Sequence, residues 1–212
     1  LKPGQRILTC EAEHAANDVA FLQRAKRDGA VIETVPSDDT GAVDLDALER
    51  MVDSTVGLIA MTWIPTNGGL VNPAAELGKI AQAHDILYLL DACQAVGQMP
   101  VNVDELGCDF LSATGRKFLR GPRGTGFLYL RKERLAELEP AMIDHFGAPW
   151  TAASGYTLRD DARRFETWEN AYALRAGLGA AVDYALDIGL DDLQVRAWGL
   201  ADELRGKLPE GP

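Results

Sequence analysis

Short apolar runs alternate along the chain with longer stretches in which apolar and polar positions recur at helical spacing. The runs at 6–10, 30–35, 56–62, 86–91, 109–113 and 125–130 have the length and aliphatic character of strands. Between them, 14–28, 44–53 and 73–84 read as helices, and Pro73 suits the start of the last one, where a missing N–H costs nothing. This alternation predicts an α/β fold, a mainly parallel sheet flanked by helices. Beyond about residue 140 the pattern changes. The segment 141–169 is rich in Gly, aromatic and charged residues without a clear period and predicts a loop-like, functional stretch, whereas 170–188 and 191–206 are Ala- and Leu-rich predicted helices. The expected division is a large domain over 1–169, followed over 170–212 by helices that link to, or begin, a smaller C-terminal domain.

Composition narrows the class of partner. With 47% hydrophobic and 25% charged residues the chain can bury a core. Its 21 basic and 32 acidic residues give a net charge of −11, so neither nucleic acid nor an anionic membrane is an expected partner. No apolar run approaches the length of a membrane span, and the opening residues lack the pattern of a signal peptide. Cys10, Cys93 and Cys108 are too far apart for a CxxC redox or zinc signature, and their odd number argues against a disulfide framework. The expectation is a cytoplasmic protein without a metal centre.

Two strand ends carry the candidate chemistry. In ILYLLDACQ five apolar residues precede Asp91, which puts its carboxylate at the C-terminal end of a buried strand, where open α/β sheets bind ligands. A plain turn-capping role for Asp91 fits this feature equally well. The next predicted strand, DFLSA, runs into Thr114-Gly115-Arg116-Lys117 and then the glycine-rich GPRGTG at 121–126. A hydroxyl, a guanidinium and an amine beside such a turn suit a phosphate. A nucleotide P-loop is excluded, because Gly126 is followed by Phe127-Leu128 rather than by Lys and Ser or Thr, and the dinucleotide fingerprint GxGxxG is absent.

Four ordered segments, EHAAN at 13–17, PTNGG at 65–69, DACQAVG at 91–97 and TGRKFLRGPRGTG at 114–126, resemble the motifs of the class V aminotransferase and cysteine desulfurase family, and 163–189 resembles the stretch that follows them there. The resemblance implies the large domain of the pyridoxal-phosphate enzymes of fold type I, with pyridoxal 5'-phosphate as cofactor and an imine on Lys117. It further implies that Asp91 keeps the pyridine nitrogen protonated, so that the ring accepts electrons when a substrate bond breaks. His14 corresponds to the histidine that stacks on the ring and moves protons. Asn67 and Gln94 correspond to residues that hydrogen-bond its phenolic oxygen, and Thr114 and Arg116 to phosphate ligands. Taken alone, His14 also reads as a solvent-facing helix start and Asn67 as a turn residue.

The sequence departs from the desulfurase pattern in two places. Arg116 stands where desulfurases usually carry His, and the Arg-Phe-Glu segment at 164–166 is followed by Thr167-Trp168-Glu169 rather than by a small Gly-Thr pair that serves the partner subunit's site. Trp168 suits either a substrate pocket or a packing role at a helix start or subunit interface. None of the three cysteines matches the family's sulfur acceptor. The implied function is therefore a PLP-dependent lyase or transferase acting on an amino acid, in the first instance by breaking a carbon–sulfur bond. A transaminase or epimerase would use the same residues, and a noncatalytic fragment is the remaining alternative. The resemblance also implies a homodimer, and further chain on both sides: a front that brings a phosphate loop, and a small domain whose arginine holds the substrate carboxylate.

Overall fold

The computed structural model describes residues 1–209, so the last three residues of the 170–212 segment lie outside the described residues. Six strands form one sheet: β1 (Arg6–Cys10), β2 (Val31–Val35), β3 (Val56–Thr62), β4 (Leu87–Asp91), β5 (Phe110–Thr114) and β6 (Gly126–Leu130), in the order β2-β1-β3-β4-β5-β6. The first five run parallel, and β6 returns antiparallel to β5. That reversal has a local cause. Only residues 115–125 separate β5 from β6, a tight return rather than the helical crossover that a parallel partner needs.

The helices predicted over 14–28, 44–53 and 73–84 appear as α1 (Ala15–Asp28), α2 (Leu45–Met51) and α3 (Ala74–Ala83). Gly29 closes α1 in the left-handed conformation at φ 72°, a position that favours glycine. Pro73 is the N-cap of α3, one residue before the position expected of it. A four-residue helix, α4 (Val103–Leu106), lacked the periodicity to be foreseen. The segment 141–169 is more structured than its composition suggests: β7 (Trp150–Ala152) and β8 (Gly155–Tyr156) make a small antiparallel hairpin, followed by a 3-10 turn at Ala162–Phe165. Two long helices follow, α5 (Tyr172–Ile188) and α6 (Leu190–Arg205).

The period-2 alternation of the strands decides which helix each side chain meets. Leu8, Ile59, Met61, Tyr88, Leu90 and Leu111 point to one face and form the main core with residues of α2, α3 and α4. Ile7 and Ala60 point to the other face, where they pack with Phe21 of α1 and the half-buried Leu58 and Leu89. Burial of each large aliphatic side chain contributes roughly 1.5–3 kcal/mol. Tyr88 is fully buried, and its hydroxyl donates to the Ala74 carbonyl at 3.1 Å, which ties α3 to the centre of the sheet.

Candidate active site

The alternation that builds the core also assembles a polar group on the α1 face. Thr9, Thr62, Asp91 and Thr114 share the parity of the residues facing α1, and all four lie near the C-terminal ends of the parallel strands. Thr62 and Asp91 are register partners, as are Asp91 and Ser112. Open α/β sheets bind ligands in the crevice beyond these ends.

Asp91 is held from two directions. Its Oδ1 accepts the backbone N–H of Cys93 at 2.8 Å, and its Oδ2 accepts Nδ2 of Asn17, from the first turn of α1, also at 2.8 Å. The carboxylate therefore caps its own turn and is fixed, half-buried, at the C-terminal end of β4. Asn17 Nδ2 also donates to Glu13 Oε1 at 2.8 Å, and that oxygen in turn accepts the Thr62 hydroxyl. Asn17, Glu13 and Thr62 were not singled out by the sequence reading. The available signal was the placement of Glu13 and Asn17 within EHAAN, four residues apart and thus on one side of the turn that starts α1.

His14 is the N-cap of α1, and its Nδ1 accepts the N–H of Ala16 at 3.2 Å. This bond leaves the ring proton of the neutral tautomer on Nε2. His14 and Asn67 line one cavity of about 340 Å³, together with Glu13, Pro65 and Thr66. The Asn67 loop is braced by the buried Asn72, which donates to the Thr62 carbonyl at 2.7 Å and accepts from Val43 N–H at 3.0 Å. A second cavity of about 700 Å³ lies apart, between β6 and α5, and none of the predicted site residues lines it.

Lys117 follows β5 by three residues and is half-buried, with no hydrogen bond or ion pair for its amine among the described residues. Its loop is fixed from below. Gly97 adopts φ 92°, and a Cβ there would come within 2.5 Å of the backbone at Phe118 and Leu119, so only glycine lets the DACQAVG turn lie against the lysine loop. Arg120 also takes a left-handed φ of 59°, in a turn closed by its N–H to the Lys117 carbonyl at 2.9 Å. Cys93 is flanked by both charges. Burial and then the neighbouring Asp91 push its thiol up to about 12, against a smaller opposing effect of Lys117.

The remaining predicted residues line neither cavity. Thr114 Oγ1 reaches the Thr125 carbonyl at 3.5 Å, and Arg116 is exposed with no acceptor among the described residues. Gln94 is half-buried on the turn after Asp91, and its backbone carbonyl accepts from Gln98. None of these three lines the His14–Asn67 cavity. Trp168 stacks on His145 with ring centroids 4.7 Å apart, meets Phe146 edge-on and remains half-exposed. Among the described residues no group of His, Cys, Asp and Glu is arranged to hold a metal, and no helix is long and apolar enough to cross a membrane.

An open, mostly parallel sheet with helices on both faces, an anchored carboxylate at the end of β4 and an amine just beyond β5 is an α/β fold of the doubly wound type. The chain belongs to the aminotransferase class-V family, whose model matches residues 1–212. It is 35% identical to a probable cysteine desulfurase of Methanothermobacter thermautotrophicus, over 96% of this chain and 50% of that protein. Among solved structures it resembles apo cysteine desulfurase from Thermococcus onnurineus, with 33% identity and a TM-score of 0.83 over 90% of this chain and 47% of that one. It also resembles the cystine C–S lyase C-DES, with 26% identity and a TM-score of 0.81 over 89% of this chain and 51% of that one. C-DES has been solved with its reaction product cysteine persulfide and, as a mutant, with glycine covalently linked to the PLP cofactor. The chain spans about half the length of the relatives it matches.

The donor set suits pyridoxal phosphate. Asp91 offers a fixed anion for a ring nitrogen, Lys117 an amine without a competing partner, and Arg116 with the Thr114 hydroxyl a cation and donor for a phosphate.

Proposed function

We propose that this chain forms the cofactor-binding part of a pyridoxal-phosphate enzyme that acts on an amino acid and breaks a carbon–sulfur bond, in the manner of a desulfurase or C–S lyase. The observation that carries this reading is Asp91, clamped by donors on both oxygens at the end of β4, one strand from the end that bears Lys117. The kinship to cysteine desulfurases and to a cystine C–S lyase supports the choice of bond.

Bound pyridoxal phosphate supplies an aldehyde that takes up amines and a ring that withdraws electrons from the bond being broken. In this reading Lys117 provides the amine that holds the cofactor, and its Nζ then moves the substrate proton. Asp91 holds a proton at the ring nitrogen, because its negative charge favours the cationic form. His14 would stack on the ring and offer Nε2–H, its Nδ1 being committed to Ala16. Asn67 and Gln94 would hydrogen-bond the phenolic oxygen, and Thr114 and Arg116 would hold the phosphate. Burial and then Asp91 hold the Cys93 thiol up at about 12, and none of the three cysteines matches the family's sulfur acceptor. Residues 1–169 belong to the large domain, 170–212 link to or begin a smaller one, and the site works in a cytoplasmic homodimer.

Steady-state assays of the full-length protein with cysteine, cystine and a panel of other amino acids test the reaction. Release of persulfide or sulfide is expected. Formation of oxo acids or of racemised amino acid, with no sulfur released, would replace this reading by transamination or epimerisation.

A further inference from the structure

We infer that Asn17 is a positioning residue for Asp91, and that Glu13 sets the direction in which Asn17 donates. This inference rests on the reading of Asp91 as the partner of the cofactor's ring nitrogen. One amide nitrogen, Asn17 Nδ2, lies 2.8 Å from Asp91 Oδ2 and 2.8 Å from Glu13 Oε1, so its two hydrogens are divided between two carboxylates. An ionised carboxylate is an acceptor only. Rotating the amide by half a turn would set the Asn17 carbonyl oxygen against both anions and lose both bonds, so Glu13 leaves the side chain one usable orientation.

Glu13 is itself fixed by donors from three places. Its Oε1 accepts the Thr62 hydroxyl and the His14 N–H, the latter at 2.8 Å, while its Oε2 lies 3.5 Å from Thr9 Oγ1. Thr62 is the register partner of Asp91, so the chain Thr62–Glu13–Asn17–Asp91 starts and ends on neighbouring strands and passes through the first turn of α1. The Cys93 N–H holds the other oxygen of Asp91 independently. With one donor on each oxygen the plane of the carboxylate is set before any ligand arrives, which is the preorganisation an electrostatic partner needs. A residue that only packed α1 on the sheet would not need a divided amide between two anions.

The test uses the full-length protein loaded with pyridoxal phosphate and reads two quantities other than turnover: the cofactor dissociation constant and the pH midpoint of its visible absorbance. Asn17→Ala should weaken cofactor binding about tenfold, the size of a lost hydrogen bond to a charged group. It should also move the midpoint in the same direction as Asp91→Asn. Asn17→Asp, nearly isosteric and therefore informative if the alanine variant fails to fold, should weaken binding further by placing a third carboxylate between the other two. Glu13→Gln should give the smallest loss, because its amide oxygen can still accept. The Asn17→Ala/Asp91→Asn double variant should lose no more than Asp91→Asn alone, since the two side chains act as one unit. Wild-type affinity and midpoint in Asn17→Ala or Asn17→Asp, beside clear losses in Asp91→Asn, would overturn the positioning role, as would fully additive losses in the double variant. If Asp91→Asn itself left both quantities unchanged, the assignment of Asp91 would be wrong and the inference would fall with it.

Discussion

The two flanks of β5 differ in how completely the molecule has enclosed them. Toward β4 the sheet is covered: Tyr88, Leu90 and Leu111 are almost wholly buried, and the strand end carries an anion with a donor on each oxygen. Toward β6 it is open. Phe127 and Leu128 are 43% and 42% exposed, β6 pairs only with β5 among the described residues, and the 700 Å³ cavity beside it is lined by apolar residues of α5 such as Leu174 and Leu178. The contrast teaches that the ring-binding chemistry proposed for Asp91 is built on the rigid flank. The proposed phosphate ligands, Thr114 at the end of β5 and Arg116 just beyond it, lie by contrast where the chain turns toward the open flank. An unpaired edge of this kind is a place where another strand can add.

The largest expected effect falls on Lys117, on the turn between β5 and β6. Replacing Lys117 with Ala should lower turnover of the full-length protein by roughly 10²–10⁴-fold, the range seen when a proton-transferring group is lost. Borohydride reduction in the presence of pyridoxal phosphate should attach the pyridoxyl group to Lys117, and mass spectrometry that finds it on Lys79 or Lys132 would refute the assignment. Asp91→Asn should keep the fold, since the amide is nearly isosteric, yet lose more than about tenfold in turnover, equivalent to ~1.4 kcal/mol at the transition state. Near-normal activity of a well-folded Asp91→Asn variant would remove its electrostatic role.

Stability separates the flanks directly. Leu90→Ala leaves a cavity in the closed core and should cost about 2–5 kcal/mol, whereas Leu128→Ala on the open edge should cost less than about 1 kcal/mol. Urea denaturation of both variants checks this, and equal costs would erase the contrast.

The smallest effect concerns pH. The Cys93 thiol, raised from 9.0 to about 12, keeps its proton in the folded protein after the unfolded chain has lost it. Stability from this group is therefore complete below about 9 and declines as pH rises toward 12. Cys93→Ala should flatten that decline in chemical denaturation series, and iodoacetamide should leave Cys93 largely unmodified at neutral pH. Rapid alkylation there would show an accessible thiolate.

Much of this molecule is legible without coordinates. All six predicted strands occur within a residue or so of their expected limits, because each is a short aliphatic run bounded by turn residues. Asp91 and Lys117 stand out as candidates from their places after buried runs and from motif order. The β7–β8 hairpin was missed since its three- and two-residue strands carry no period, and the antiparallel course of β6 follows from loop length rather than from the strand itself.

The sequence by itself determined the α/β class, the strand ends that carry the candidate residues and, through ordered motifs, the family. What only the tertiary structure decided is how those ends are held. Asn17 lies 74 positions from Asp91, and Glu13 lies 49 from Thr62. Local periodicity extends over a few residues and contains no information about such pairs. They meet because parallel register sets Thr62 beside Asp91, and because strand alternation turns both toward the start of α1.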